Sequence, residues 1–259
     1  MSQPLRIEWE GGLAVLTLDN PPLNFWGRDI WSALPVAIHE IAEQRPRALM
    51  IRAEGKVFTA GVHVENFRAM DRDEALRLWH EQIAMIHELE SMPWPTIFAA
   101  HALTLTAGFE LALGCDVILA ARSAGFGLVE RRVGLTPANG GVQRLVSIAG
   151  PNRARDLVFS GDIYSAETML EWGVVTRVFD DAEFEQCARA YALDVASGPT
   201  CGYAAVKDLV RATISGGVYE ADRIMPEIAA DLWNTTDFTT AINGFLEHGP
   251  RHTSVFEGR

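Results

Sequence analysis

Short apolar runs alternate with amphipathic stretches in the first half of the chain. A β-hairpin is predicted at the start of the chain. Apolar and polar residues alternate over 5–9, the dipeptide Gly11-Gly12 supplies a turn, and an apolar second strand covers 13–18. Further apolar runs predict buried strands at 48–52, 96–100 and 117–121. Helical periodicity predicts helices at 27–44, 73–91 and about 107–114. Pro35 should kink or restart the first of these helices. Strands that alternate with helices indicate an α/β fold with a largely parallel, buried sheet.

From about residue 180 the chain is helical in pattern throughout. The segments with helical period lie near 203–214, 218–232 and 237–248. We therefore predict a core over residues 1–200 and a C-terminal helical region over residues 201–259. The apolar faces of this region, for example at Ile224 and Trp233, need a partner surface, which is either its own core or another subunit.

Composition narrows the class of protein. The 259 residues carry a formal net charge of -12 with a pI near 5.0, the opposite of the balance of a nucleic-acid binder. No apolar run reaches the roughly 18 residues of a membrane span, and the first residues do not have the pattern of a secretory signal. The three cysteines include no C-x-x-C pair, and their odd number is a poor basis for a disulfide framework. We expect a cytoplasmic protein with no membrane or nucleic-acid partner.

The loop at residues 55–64 follows a predicted strand and is rich in small residues. Ligands meet open α/β sheets at such places. Gly61 allows a tight turn, so that the next amide would point into a cavity. The alternative interpretation is an ordinary strand-exit turn.

A second candidate segment covers residues 101–111. Thr106 is a plausible helix N-cap, and the first amides of the following helix have no intrahelical acceptor, so they are available to an oxyanion. Gly108 carries no side chain that would block a close approach. Glu110 lies among apolar neighbours, where a carboxylate is either well hydrogen-bonded or functionally tuned. The alternative is a favourable charge at a helix start.

A third candidate segment covers residues 125–141. Glu130 follows an apolar strand and precedes Arg131 and Arg132, so a plain salt bridge is the alternative role. The stretch Pro137–Gly141 predicts a helix entry that would bring further amides near a ligand.

Two carboxylates beside free amides form a set suited to one reaction. Addition of water to an α,β-unsaturated thioester needs one group that activates water and another that protonates the α-carbon. It also needs donors to the thioester oxygen as negative charge develops there.

These segments occur in an order that resembles the crotonase (enoyl-CoA hydratase/isomerase) superfamily over nearly the whole chain. The pieces that carry the resemblance are LDNPPLNFW, GKVFTAGVHV, AHALTLTAGFELALGCDVILAARSAGFGLVE, VGLTPANGGVQRL, SGDIYSAETMLEWGVVTRV and DFTTAINGFLEHGP. The resemblance implies a crotonase-like spiral of ββα repeats. It also implies a C-terminal helical region that serves oligomerisation and covers the active site, in a homotrimer or a dimer of trimers.

The resemblance also implies residue roles. Val62 and Ala107 would donate the two oxyanion-hole amides, Glu110 would orient or activate water, and Glu130 would exchange the proton at the α-carbon. The residues implied in substrate binding are Ala60, Gly61, Val62, His63, Val64, Ala107 and Gly108. Because both glutamates are present, the expected activity is that of an enoyl-CoA hydratase of fatty acid metabolism. Such an enzyme adds water in syn fashion to a 2-enoyl-CoA thioester and needs neither a metal nor a cofactor beyond the coenzyme A of its substrate.

The chain departs from the family pattern at four of these positions. Ala107 stands where Gly is usual, Val62 where Ala is usual, His63 where many members have Asp, and Glu65 where some have Lys. These differences bear on acyl-chain preference and coenzyme A affinity.

Alternative functions stay open at this point. They are an enoyl-CoA isomerase or a C–C hydrolase of the same family, and a non-catalytic acyl-CoA-binding subunit. His63 is also a candidate for an extra base, and Trp26 for the acyl pocket. His101, Trp31 and Trp172 are interpreted as packing residues.

Overall fold

The computed structural model describes residues 4–259, which form two β-sheets and a series of helices. The strands are Leu5–Glu10 (β1), Leu13–Leu18 (β2), Ala48–Ala53 (β3), Thr96–Ala100 (β4), Thr104–Leu105 (β5), Val117–Ala121 (β6), Gly125–Gly127 (β7), Tyr164–Ser165 (β8) and Arg177–Phe179 (β9). The α-helices are Arg28–Gln44 (α1), Glu65–Arg68 (α2), Arg72–Ser91 (α3), Ala107–Leu113 (α4), Gly141–Ala149 (α5), Pro151–Ser160 (α6), Ala166–Glu171 (α7), Phe184–Ser197 (α8), Thr200–Gly216 (α9), Val218–Asp231 (α10) and Thr236–His248 (α11). Short 3₁₀ helices cover Glu130–Val133 and Leu232–Asn234.

The larger sheet has six strands in the order β1-β2-β3-β4-β6-β9. The predicted hairpin is confirmed as the antiparallel pair β1–β2, and the other neighbours pair in parallel. All six residues of β2 are buried, as expected for a strand covered on both faces.

The chain winds as a spiral whose turns repeat a strand, a second strand and a helix. One turn is β4, β5 and α4, and the next is β6, β7 and α5. The second strands form a smaller sheet in which β5 pairs in parallel with β7, and a parallel bridge joins Thr59 to Thr104. The predicted spiral of ββα repeats followed by a helical region is confirmed. The second strands of successive turns therefore bring residues 59, 104 and 126 side by side.

The core lies on both faces of the larger sheet. Along β2, Leu16 faces one apolar cluster with Phe98, while Val15 faces a second cluster with Ala188 of α8. This alternation follows from the two-residue period of a strand. Each buried side chain of this size contributes about 1.5–3 kcal/mol to folding, so the sheet is a rigid support for the loops that leave it.

Pro35 does not interrupt α1. The helix is continuous from Arg28 to Gln44 and buries Ile30, Leu34 and Ile38 on one face. The predicted restart is therefore wrong, because tertiary packing of this apolar face outweighs the cost of about 3 kcal/mol for a proline inside a helix.

The C-terminal helices are attached to the core by buried polar contacts. Arg47 donates to the Gly198 and Phe256 carbonyls at 2.7 Å each, and Lys207 donates to the Trp94 carbonyl at 3.1 Å. The core of the same chain is thus one partner surface of this region. Apolar side chains stay exposed on its other faces, at Val206, Val210, Ile214, Phe245 and Leu246.

Candidate active site

Glu110 is held inside the protein by the third candidate segment. It lies in α4, whose residues are all buried, and only 2% of its surface is exposed. Its Oε1 accepts hydrogen bonds from the Asn139 and Gly141 amides, both at 2.9 Å. A Cβ on Gly141 would lie 2.8 Å from the Glu110 Cγ, so only a glycine permits this approach. The helix entry predicted at Pro137–Gly141 therefore serves to bind a carboxylate.

Glu130 begins a 3₁₀ helix and completes a pair of carboxyl groups with Glu110. Burial and, to a smaller extent, the charge of Glu130 raise the pKa of Glu110 from 4.5 to about 8. The Gly141 and Asn139 amides and the charge of Arg144 oppose this rise of the pKa. Burial also raises the pKa of Glu130, to about 7. Two carboxyl groups that titrate near neutral pH can each give or take a proton at physiological pH.

Arg144 fixes the loop that binds Glu110. Its Nε and Nη2 donate to the two carboxylate oxygens of Glu90 at 2.7 and 2.6 Å, and its Nη1 donates to the Gly140 carbonyl at 3.1 Å. Gly140 has φ +91° and lies between the two residues whose amides bind Glu110. A buried bidentate ion pair with a third hydrogen bond thus holds the two donors in register.

The Val62 amide faces away from its neighbouring strand segment. A parallel bridge pairs Val62 with Trp26, in which the Trp26 amide donates to the Gly61 carbonyl at 2.9 Å and the His63 amide donates to the Trp26 carbonyl at 2.8 Å. Successive amides of extended chain point to opposite sides, so the Val62 N–H points away from Trp26. Within residues 4–259 it has no acceptor.

The Ala107 amide is available for a different reason. Ala107 is the first residue of α4, where an N–H has no carbonyl one turn earlier in the helix. In the described part of the chain no side chain or loop carbonyl accepts from it either. This is the arrangement that the sequence predicts for an oxyanion-binding helix start.

Thr106 joins the segments. It occupies the predicted N-cap position of α4, but its side chain makes no capping hydrogen bond. The residue has φ +48° and ψ -122°, and its Oγ1 lies 2.7 Å from the position that a Cβ on Gly61 would occupy. Its amide donates to the Gly127 carbonyl and its carbonyl accepts from the Glu110 amide, both at 2.9 Å. Thr106 therefore contacts the segments that carry Val62, Glu110 and Glu130.

Gly108 lets α4 pack against the first segment. A Cβ on Gly108 would lie 2.3 Å from the Thr59 Cγ2, a distance that no real pair of atoms tolerates. The structure gives this glycine a packing role, where the sequence interpretation emphasises room for a ligand. The contact keeps the amides of Val62 and Ala107 in adjacent layers.

Unpartnered buried polar atoms mark the same place. Within residues 4–259, Thr106 Oγ1, Glu130 Oε2 and Asn139 Oδ1 are buried and lack hydrogen-bond partners. Each belongs to a residue that bonds to Glu110 or acts on it electrostatically. Six further atoms of this kind occur elsewhere in residues 4–259, for example on Thr17 and Gln82, but these three surround Glu110 and give the site unused capacity for polar ligand atoms. Sequence reasoning misses Asn139, whose only local signal is its place at a helix entry.

The remaining candidates of the first segment lie at its outer end. The Ala60 amide donates to the Leu23 carbonyl at 3.0 Å, His63 is exposed with its ring against the edge of Phe25, and Val64 is half exposed. His63 and Val64 therefore present exposed surface next to Val62.

Other candidates lie away from Glu110. His101 Nε2 contacts the Gly55 carbonyl at 3.0 Å and lines a groove of about 250 Å³ with Arg52. Trp26 is 1% exposed and lines an apolar core cavity with Leu16. Trp31 is buried as expected, and Trp172 packs against the core while partly exposed.

Two further findings concern metal ligands and membrane-spanning helices. Among residues 4–259, no group of three or more His, Cys, Asp or Glu side chains is placed to hold a metal ion. Over the same range, no helix combines the length and the apolar character that a membrane crossing requires.

Comparisons with known proteins identify the family and the fold. Residues 8–256 match the family described as enoyl-CoA hydratase/isomerase. A probable enoyl-CoA hydratase of Rhodobacter capsulatus is 30% identical over 256 residues, which cover 98% of each chain. A carnitinyl-CoA dehydratase of Escherichia coli is 30% identical over 262 residues, covering both chains completely. The crystal structure of a putative enoyl-CoA hydratase from Streptomyces coelicolor superposes with a TM-score of 0.92 at 27% identity, covering 99% of this chain and 94% of the other.

Proposed function

The chain belongs to the enoyl-CoA hydratase/isomerase family and has the crotonase fold. From this we propose that it is an enoyl-CoA hydratase, which adds water in syn fashion to a 2-enoyl-CoA thioester. One observation carries the choice of hydratase: a buried and a partly buried carboxyl group, with pKa values raised to about 8 and about 7, occur in the segments that adjoin two amides without acceptors.

In the proposed reaction the amides of Val62 and Ala107 hold the thioester oxygen. Water attacks the β-carbon, and negative charge develops on that oxygen as the enolate forms. Two fixed N–H groups stabilise this charge more than they stabilise the neutral thioester, which lowers the barrier. Loss of one such donor typically costs about 3 kcal/mol.

The two glutamates handle the protons. One carboxylate takes a proton from water as the oxygen bonds to the β-carbon, and the other carboxyl gives a proton to the α-carbon. We assign water to Glu110 and the α-carbon to Glu130, as the matching positions of the family imply, and the amides of Asn139 and Gly141 hold the Glu110 carboxyl in place. The pair shares one proton near neutral pH, so its apparent pKa values belong to both groups.

Coenzyme A would lie along the outer edge of the site. We place its pantetheine and adenine ends against the backbone of residues 60–64, with Gly108 packed behind. No metal takes part in any proposed step.

Reversal of the same steps removes water from a 3-hydroxyacyl-CoA. The similarity to a protein named carnitinyl-CoA dehydratase supports a test in this direction as well. Such a test should compare 3-hydroxyacyl-CoA substrates that differ in the acyl group.

We also propose that the protein forms a homotrimer or a dimer of trimers through its C-terminal helical region. The exposed apolar side chains of α9 and α11, such as Ile214 and Leu246, supply the surface that association would cover. Sedimentation equilibrium of the whole protein tests this, and a monomer at micromolar concentration would refute it.

The activity is tested by hydration of crotonyl-CoA, followed as loss of the absorbance of the conjugated thioester. Wild-type protein should turn over, and Glu110→Gln and Glu130→Gln should each lose about 10²–10⁴-fold in kcat. Turnover of a β,γ-unsaturated thioester without hydration would identify an isomerase. Binding of acyl-CoA without any turnover would identify a non-catalytic subunit.

A further inference from the structure

Thr106 has a backbone conformation that a β-branched residue rarely adopts. Its φ of +48° lies in the region that favours glycine. With a negative φ, the hydroxyl of a threonine at this position would cap the first amides of α4. The chain does without that cap, and the side chain is directed instead toward Gly61.

The hydroxyl of Thr106 has no partner, in contrast to its neighbours. The residue is 7% exposed, and within the described residues its Oγ1 is buried without a hydrogen bond. Thr59, on the neighbouring turn of the spiral, and Thr104, on the same turn as Thr106, are fully buried. Their hydroxyls donate to the Asn24 and Ala102 carbonyls at 2.6 and 3.0 Å. The environment thus provides an acceptor for two threonines and none for the third.

The position of this hydroxyl relates it to both amides of the proposed oxyanion hole. It belongs to the residue before Ala107, and it lies against Gly61, the residue before Val62. The absence of a side chain at Gly61 is what permits the approach, because a Cβ there would lie 2.7 Å from Oγ1. A thioester oxygen bound by both amides would therefore lie next to the hydroxyl.

We propose that the Thr106 hydroxyl is a third hydrogen-bond donor to the thioester oxygen, beside the amides of Val62 and Ala107. This inference rests on the proposed acyl-CoA chemistry of the same site. A hydroxyl donates more strongly as the oxygen becomes negative, so its contribution falls on the transition state rather than on substrate binding.

The test compares variants that differ in the hydroxyl alone. Thr106→Val keeps the shape and removes the hydroxyl, whereas Thr106→Ser keeps the hydroxyl and removes the methyl group. With crotonyl-CoA, Thr106→Val should lower kcat by about 100-fold, the lower end of the range for loss of an oxyanion donor. Its KM should change little, and Thr106→Ser should retain most of the wild-type kcat.

Thr104→Val is the matched control, since it removes an equally buried hydroxyl from β5 and should leave kcat near the wild-type value. Circular dichroism melts establish that each variant folds. If Thr106→Val does not fold, the pair Thr106→Ser and Thr106→Ala makes the same comparison.

Two results would overturn the inference. One is wild-type kcat in Thr106→Val, and the other is an equal loss in Thr106→Ser and Thr106→Val, which would show that the methyl contact with Gly61 is what matters. A second readout is the ratio of the affinity for a 3-oxoacyl-CoA to that for a saturated acyl-CoA. The enolate of the 3-oxoacyl-CoA carries negative charge on the thioester oxygen. Thr106→Val should reduce this preference by at least about tenfold, and an unchanged preference would contradict a donor. Wild-type protein that neither binds nor turns over acyl-CoA would instead refute the proposed function itself.

Discussion

Replacement of Glu110 by glutamine should make the protein more stable, by an amount that grows with pH. The folded protein holds the Glu110 proton more tightly than the unfolded chain does, because burial raises the pKa from 4.5 to about 8. Folding therefore takes up a proton between those values, and the free energy of unfolding falls as pH rises through that window. Glutamine has no proton to lose, and its Oε1 can still accept from the Asn139 and Gly141 amides.

The size of the effect follows from the shift. At 1.36 kcal/mol per unit of pKa, the upper limit of the difference between Glu110→Gln and wild type is about 5 kcal/mol above pH 8. Between pH 5.5 and 7.5 the difference should grow by about 1.4 kcal/mol per pH unit. Below pH 4.5 it should vanish, since the carboxyl is then protonated in both states.

Urea unfolding at a series of pH values and one protein concentration measures this difference. Glu81→Gln is the control, because this glutamate is exposed on α3 and the substitution should leave the pH dependence unchanged. If wild type and Glu110→Gln lost stability in parallel between pH 5.5 and 7.5, Glu110 would not be a buried acid with a raised pKa.

Three further predictions concern the support of the site. Gly108→Ala should lower the free energy of unfolding by about 1–3 kcal/mol, because the new Cβ meets Thr59. The control is Gly202→Ala in α9, where the new Cβ would make only ordinary contacts and which should be neutral or slightly stabilising. Equal melting temperatures for the two variants would refute the packing role of Gly108. Arg144→Met should release Gly140, so kcat should fall about tenfold or more. The substitution also removes a charge that lowers the pKa of Glu110, so the alkaline limb of the pH–rate profile should move to higher pH. An unmoved limb would contradict the proposed electrostatic role. The wild-type kcat/KM should be bell-shaped with its limbs near pH 7 and 8, and Glu130→Gln should remove one limb, whereas a flat profile from pH 6 to 9 would exclude the glutamate pair.

The fold could be predicted in its local parts. The strands β3, β4 and β6 are largely apolar runs, and α4 begins directly after a strand, in a segment with a glycine and a carboxylate. The sequence pattern therefore places these four elements to within a residue. Pro35 misleads because the packing of Ile30 and Ile38 decides the path of α1, and packing is not a local property.

The site could be predicted as a set of residues but not as a geometry. The donors to Glu110 lie 29 and 31 positions further along the chain, and the bond of Arg144 to Glu90 spans 54 positions. Such contacts depend on how the turns of the spiral stack. The positive φ of Thr106 is likewise hidden, since a threonine before a helix normally signals a cap.

In the proposed reaction the amides of Val62 and Ala107 bind a thioester oxygen, while Glu110 and Glu130 transfer protons at the adjacent carbons. A crystal structure of the whole protein with a bound 3-hydroxyacyl-CoA tests this most directly. We expect a thioester oxygen within about 3.2 Å of both amide nitrogens and the substrate hydroxyl within hydrogen-bonding distance of a glutamate. A thioester bound elsewhere, for example in the groove lined by Arg52 and His101, or an oxygen bonded to neither amide, would contradict it.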